Sequence, residues 1–312
     1  MMKEEIREKI LDTGAVAVGF AEAAPVDERE WERLQAWLAA GHNAGMDYMS
    51  RWQDIRRDPR LLLDGARTVI SIAYSFAPPV FRDPSLGEIS VYAYGRDYHD
   101  VLRKRLRPVV REFEKRYGGS YRICIDSAPI LERFWAQRAG IGVRGDNHML
   151  IVPGHGSMVF LAEIITTLGL EPDTPLVSDD INANTGNYLV SDKLCTHCGA
   201  CLRACPGRIL QPDSIDCRNC LSYLTIEEIP DYAEASVLDT DVGRKTLFGC
   251  DRCLRACPLN RDLTSTTVTD FHPSEAMLSL DADAFRALTR ETLTTLLPGS
   301  PLRRRFRSHP SI

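Results

Sequence analysis

Nine of the ten cysteines in this chain of 312 residues fall between positions 195 and 257, and their spacing restricts what the chain can hold. Cys195, Cys198, Cys201, Cys205 and Pro206 make C-x2-C-x2-C-x3-C-P. In such a run three thiolates wrap one face of a cubane [4Fe–4S] cluster, and the fourth, after the longer gap, points to a second cluster. Cys250, Cys253, Cys257 and Pro258 repeat C-x2-C-x3-C-P, but Leu247 stands where the first cysteine of a full run would be. The missing ligand then has to come from Cys217 or Cys220. Cluster one takes Cys195, Cys198, Cys201 and Cys257; cluster two takes Cys205, Cys250, Cys253 and one of the intervening pair. Structural zinc uses C-x2-C pairs but does not ask for C-x3-C-P twice. His197, inside the first run, is expected to face solvent because a ligand there would crowd the cubane, and Cys124 to be a buried core thiol.

The rest of the chain reads as a large domain ahead of the cysteines. Hydrophobic residues at 44% and charged residues at 26% leave ample material for a core. Helical spacing at Ile6, Ile10 and Leu11 is followed by a strand-like AVAVGF (15–20) and a helix carrying Trp31, Leu34, Trp37 and Leu38. TVISIAYSFAP (68–78) reads as a buried strand, 99–117 as a basic amphipathic helix, and YRICID (121–126) as a strand ending on Asp126. A helix over 129–139, a strand over 148–153 and the apolar stretch 157–168 complete the domain. Helices alternating with buried strands point to an α/β or α+β architecture. The expected division is 1–185, a cysteine-rich 186–262, and a short helical, basic tail over 263–312.

No run of about 18 apolar residues is present, so no membrane span is expected. The opening MMKEEIREKI lacks the apolar core of a secretory signal, and a cytoplasmic location is expected, where disulfides are disfavoured. A net charge of -5 does not favour nucleic acid, although Arg103, Lys104, Arg105, Arg107 and Arg111 form one basic cluster and Arg303, Arg304, Arg305 and Arg307 another. Clusters pass single electrons, and the large preceding domain is most simply the place to which they are delivered. No G-x-G-x-x-G follows a strand, which leaves a nicotinamide site unsupported. Asp146 and His148 begin a D-x-H-x-x-G, but Ile151 stands at the glycine position, so a cobalamin ligated by a protein histidine is not indicated by that route.

YGRDYHDVLRKRL (94–106), IDSAPILER (125–133), GSMVFLAEIITTL (156–168), CTHCGACLRACP (195–206), CLSYLTIE (220–227) and FGCDRCLRACPLNR (248–261) together resemble the epoxyqueuosine reductases. The resemblance covers roughly residues 1–262. It implies a nitroreductase-like domain that binds base-off cob(II)alamin, next to a bacterial ferredoxin-like domain with two [4Fe–4S] clusters. It also implies reduction of epoxyqueuosine to queuosine at the wobble position of tRNAs with GUN anticodons, the last step of queuosine formation. An external donor such as flavodoxin or ferredoxin would supply electrons to a monomer. The C-[IL]-S-[YF]-L-T segment matches Cys220 as the remaining ligand of cluster two and leaves Cys217 free. The proton donor of the family maps onto Asp126, and its cobalamin contacts onto Arg56, Asp126, Leu150, Ser157, Ser222 and Asp251.

Removing an epoxide oxygen to leave an alkene consumes two electrons and two protons and releases water, so an acid must face the departing oxygen. Asp126 before Pro129 also fits the start of the helix over 129–139, and the two roles oppose each other. Capping lowers a carboxyl pKa, whereas a proton donor needs it raised; Ser127 as the cap would free Asp126. Tyr98 and His99 match the D-Y-H of the family and are expected to pack or to line the pocket. Gly145, Asp146 and Asn147 depart from its Gly-Lys-Asn or Gly-Lys-His, placing an acid where a phosphate contact is expected. Helical repeats that follow in many members are not matched, and the RRRFR tail is the candidate replacement anion-binding element. Two rival functions are a cobalamin-dependent reductase of a small molecule and a ferredoxin-type electron carrier whose large domain docks a partner.

Overall fold

Two strands with every residue buried, Thr68–Ser75 and Val159–Thr166, lie side by side at the centre of the molecule. The computed structural model describes residues 2–176, 194–211, 214–227 and 236–306. The division expected near 186 and Arg307 of the basic tail lie outside the described residues. In chain order the first part contains α1 (Met2–Leu11), β1 (Ala17–Glu22), α2 (Glu28–Ala39), α3 (Gln53–Arg57), β2 (Thr68–Ser75), β3 (Glu88–Ile89), α4 (Tyr98–Tyr117) and β4 (Tyr121–Cys124). It continues with α5 (Glu132–Arg138), β5 (Val143–Arg144), β6 (Leu150–Ile151) and β7 (Val159–Thr166). The main sheet has the order β1-β2-β7-β4, with every neighbouring pair antiparallel.

Alternating helices and strands left α/β and α+β both open, and the antiparallel sheet makes the domain α+β. The physical reason lies in β7. Because β2 and β4 are each antiparallel to β7, they run parallel to one another, joined through α4 as an alternating pattern suggests. β7, arriving later in the chain, fills the place between them. An unbroken apolar run reports that both faces of a strand are covered, not which way its neighbour runs.

The two faces are covered by different helices. On one side α4 turns Leu102, Leu106, Val110 and Phe113 inward, at the spacing of one helical face, against Ile6 and Ile10 of α1. On the other, α5 brings Phe134 and Trp135 onto Val69, Cys124 and Ile165. The end of α5 approaches β1 so closely that a Cβ on Gly19 would lie 1.9 Å from the Ala139 carbonyl oxygen. Only glycine leaves the room that this backbone approach needs.

The cysteine-rich part is built of short pieces: α6 (Ala200–Ala204), β8 (Leu210–Gln211), β9 (Ser214–Ile215), α7 (Leu221–Ile226), α8 (Asp241–Lys245), β10 (Thr246–Phe248) and α9 (Arg252–Arg255). It is fastened to the first part by β10, which pairs in parallel with β3, and by Phe248, which is fully buried in the main core. Trp37 donates to the Ile215 carbonyl at 2.7 Å, and the Tyr223 hydroxyl accepts the Gly45 N–H at 2.8 Å. The last helices, α10 (Glu275–Ser279), α11 (Ala282–Ala287) and α12 (Arg290–Leu296), lead to a 3-10 turn over Pro301–Phe306. Met277, Phe285, Leu293, Leu297 and Leu302 are buried in the same core as α4, which anchors this segment against the first domain.

Candidate active site and cluster-binding segment

All ten cysteines are free thiols. In the loop before α6, His197 and Gly199 take positive φ values of 54° and 67°, so the chain turns sharply between Cys195 and Cys201. The thiols fall into two groups that interact electrostatically. Burial raises Cys257, and the nearby Cys195 and Cys198 raise it further; Cys201 is raised by burial, then by Asp146 and Cys195. In the other group burial pushes Cys250 up to about 12, with Cys220 adding to it, and Cys253 is raised by burial and by Cys250, Asp251, Cys220 and Cys205. Cys217 is also pushed up to about 12 by burial, with Cys220 adding to it, and it packs with Leu221, Tyr223, Leu224 and Val237 in a cluster that Cys220 and Cys250 flank. Thiolates are the metal ligands, so loading such thiols with iron releases protons.

His197 points outward as expected, and its Nδ1 lies 2.6 Å from Asp146 Oδ1. The acid at 146 is therefore turned to His197, not to a phosphate position in solvent. Cys124 is a buried thiol in the core, raised to about 12 by burial.

A second set of polar groups meets where the sheet domain, the cysteine-rich part and the last turn converge. β4 ends at Cys124, Ile125 is buried, and Asp126 takes a left-handed conformation with φ 51°. Its N–H donates to Glu132 Oε1 at 2.7 Å, which holds this turn open ahead of α5. The Asp126 carboxylate lies 2.9 Å from His99 Nε2 and 3.3 Å from an Arg304 Nη2. On its other side, His99 Nδ1 lies 2.6 Å from Asp97, which also accepts Arg303 at 2.8 Å. Arg304 reaches Glu227, at the end of α7, at 3.7 Å.

The two ring nitrogens of His99 thus each face a carboxylate. An ionised carboxylate only accepts, so a doubly protonated imidazole satisfies both. Burial works against that charge, but Asp126 and Asp97 outweigh it and raise the His99 pKa. Burial pushes Asp97 upward and His99 and Arg303 pull it down to about 2. In Asp126 the upward push of burial is likewise overcome by His99 and Arg304. Glu132 goes the other way, to about 7, through burial and the charge of Asp126. Glu163, fully buried in β7, is raised further by burial and Glu132. Protons are therefore held at His99 and around Glu132, on either side of Asp126.

This geometry corrects the reading of Asp126 as either a helix cap or a carboxyl of raised pKa. The expected helix over 129–139 begins at Glu132, with Leu131 before it and no side-chain cap. Ser127 Oγ instead donates to the Ile125 carbonyl at 3.3 Å, so neither residue caps α5. The Asp126 carboxyl sits below its ordinary value because its partners are cationic.

One consequence is measurable. The His99 imidazole is expected to titrate above 6.5 by NMR, and Asp97→Asn to lower its midpoint. Since the pKa rises on folding, its stabilisation is full below about 6.5 and fades as pH rises through the folded value. A midpoint at or below 6.5 contradicts the doubly charged arrangement.

The other expected contact residues sit on several elements of both parts. Arg56 is buried, not a surface charge, and donates to the carbonyls of Tyr48 at 3.0 Å and Arg51 at 3.3 Å. No carboxylate among the described residues pairs with it. Ser222 is half-buried in the first turn of α7. Leu150 is buried in β6; Ser157 is buried, its Oγ accepting Asn260 Nδ2 at 2.9 Å. Asp251 accepts the Ser90 hydroxyl and the Val91 N–H, each at 2.5 Å. The sequence did not assign a site role to Asp97 or Glu132, it placed Arg304 in an anion-binding tail, and it left His99 to pack or to line the pocket.

A cluster-binding cysteine segment docked on an α+β domain, with a carboxylate–imidazole–carboxylate chain where the two meet, defines an iron–sulfur oxidoreductase. Comparison with known proteins narrows this. The family model for epoxyqueuosine reductase QueG matches residues 56–127, and that for a 4Fe-4S double cluster binding domain matches residues 194–260. The epoxyqueuosine reductase of Leadbetterella byssophila is 35% identical over 275 residues, covering 86% of this chain and 84% of that protein. A crystal structure of selenomethionine-labelled epoxyqueuosine reductase superposes with a TM-score of 0.83 at 26% identity, over 97% of this chain and 77% of that one. Another, of epoxyqueuosine reductase with an epoxyqueuosine-modified tRNA-Tyr stem loop, gives 0.80 at 25% identity, over 97% and 80%. The chain belongs to the epoxyqueuosine reductase family, and its cysteine-rich segment is an iron–sulfur segment. No helix among the described residues is long and apolar enough to cross a membrane.

Proposed function

We propose that this protein reduces epoxyqueuosine in tRNA to queuosine, using cobalamin and two [4Fe–4S] clusters. The observation that carries the reading is the Asp97–His99–Asp126 chain, partly exposed at Asp126 and tied through Arg304 to Glu227 of the iron–sulfur segment, in a member of this family. The reaction breaks both C–O bonds of the epoxide, forms a C=C bond, and takes up two electrons and two protons as the oxygen leaves as water. Asp126, 43% exposed at its side chain, is the group that meets the departing oxygen. It passes on a proton drawn from the His99 imidazolium, and Asp97 holds the ring in the orientation that allows the transfer. Glu132, raised to about 7 by burial and by the charge of Asp126, is a second group next to Asp126 that can carry a proton.

One buried side chain suits cobalamin. Arg56 is a buried cation that no carboxylate among the described residues pairs with, the setting that a buried anionic group of a cofactor would complete. We assign it to the anionic tail of the cofactor, with Leu150 as apolar wall, Ser222 and Asp126 facing the cleft, and Ser157 and Asp251 stiffening the walls through Asn260, Ser90 and Val91. When bound, cobalamin supplies a low-valent cobalt centre and the clusters supply its electrons singly.

For cluster one we assign Cys195, Cys198, Cys201 and Cys257, and for cluster two Cys205, Cys220, Cys250 and Cys253; the electrostatic grouping of the thiols supports this division. Residues 1–185 serve as the nitroreductase-like cofactor and substrate domain, 186–262 as the ferredoxin-like domain, and a flavodoxin or ferredoxin as donor to a cytoplasmic monomer. Nucleoside analysis of tRNA from a strain lacking the gene tests the reading. Epoxyqueuosine should accumulate in place of queuosine, and an unchanged queuosine content would contradict it.

A further inference from the structure

The outer face of α4 carries Arg103, Lys104, Arg107 and Arg111, and these four line a shallow concavity of about 420 Å³ together with Asp100 and Pro108. Lys104, Arg107 and Arg111 are exposed and Arg103 is half-exposed. None of the four pairs with a carboxylate among the described residues, in contrast to the cations around them. Arg105 turns away to the Thr13 carbonyl and Asp270, and Arg116 and Lys9 are engaged by Glu5 and Glu112. Asp100, the acid at the near end of the stripe, is taken by Arg303 at 3.1 Å. In a chain of net charge -5, this is a local concentration of uncompensated positive charge.

Its position gives it a use. The N-terminal turn of α4 carries Asp97 as its cap and His99, and the basic stripe starts one turn further on. From Arg103 to Arg111 the helix advances roughly 12 Å, at about 1.5 Å per residue, long enough to follow a few phosphates of one strand. Three of the four cations are arginines, whose planar guanidinium matches a phosphate with two parallel hydrogen bonds.

We propose that this face of α4 is a docking surface for the phosphate backbone of the RNA next to the nucleotide held at Asp126. The proposal rests on the reading of the substrate as RNA. The surface gives sequence-independent affinity and sets the register of the strand, while the cleft selects the modified base.

The test is an Arg103→Gln, Lys104→Gln, Arg107→Gln, Arg111→Gln variant of the whole chain, with Lys replacing the three arginines in a charge-preserving control. Binding of a tRNA stem loop without epoxyqueuosine is measured over a salt series, and kcat and KM with the modified stem loop. The neutral variant is expected to bind more than about 10-fold more weakly, with a salt slope shallower by about 2–3, since each single-strand phosphate that is no longer neutralised takes about 0.7 from the slope. KM should rise with kcat at saturating RNA unchanged, and the lysine control should keep most of the affinity. Parent-like binding and slope in the neutral variant overturn the proposal, as does equal weakening in the lysine control. Slower reduction by flavodoxin with unaltered RNA binding overturns it in favour of a donor-docking face. A parent chain that binds RNA through α4 yet leaves epoxyqueuosine intact overturns the reaction, not the surface.

Discussion

Asp126→Asn is expected to lower turnover by about 10²–10⁴-fold, with iron and cobalamin content unchanged, because the amide cannot carry the proton to the departing oxygen. The structure removes the competing explanation for such a loss. Asp126 does not cap α5, so the substitution breaks no helix-terminal hydrogen bond, and its N–H still reaches Glu132. The amide oxygen can still accept from His99 and Arg304, so the fold should melt close to the parent temperature. What changes is charge. With one of its two carboxylates neutralised, His99 should titrate lower than in the parent, and the residual pH–rate profile should shift to lower pH with it. Single turnover with pre-reduced protein isolates the chemical step. A parent-like rate would leave Asp126 as a structural residue and move the acid to Glu132, whose pKa of about 7 suits the task.

Cys220→Ala is expected to lose about half of the iron and acid-labile sulfide, from about eight of each per chain to about four, while Cys217→Ala keeps both clusters. Cys220 is electrostatically coupled to Cys205, Cys250 and Cys253, whereas Cys217 is coupled to Cys220 alone among the cysteines and is buried in an apolar cluster against which Cys220 and Cys250 also pack. On the proposed ligand set cluster two relays electrons, so the Cys220 variant should also fail to turn over more than residually with an external donor. Iron loss in the Cys217 variant alone would reverse the assignment of the pair.

What could be read from the sequence follows the range of the interaction involved. The spacing of the two cysteine runs is set by the cubane itself, so the iron–sulfur segment is legible without a fold, whereas the choice between Cys217 and Cys220, outside the runs, is not. Asp126 was legible as a carboxylate at a strand end, but its surroundings were not. Pro129 suggested a helix starting there, and the turn instead stays open to Glu132 because Glu132 accepts the Asp126 N–H. His99 and Arg304 are separated by 205 positions, and only the packing of Leu297 and Leu302 into the core beside α4 brings them together. The basic tail, expected to bind an external anion, has Arg303 and Arg304 on Asp97, Asp100, Asp126 and Glu227. Strand direction was hidden for a different reason: two covered faces give the same apolar run in parallel and antiparallel sheets.

The central claim is tested most directly by anaerobic protein with both clusters reduced and cobalamin supplied, incubated with an epoxyqueuosine-containing tRNA stem loop. Nucleoside mass spectrometry of the digested RNA is expected to show epoxyqueuosine replaced by a product lacking one oxygen atom, identical to queuosine. Intact epoxyqueuosine, with cobalamin bound and the clusters still competent to deliver electrons, would contradict it.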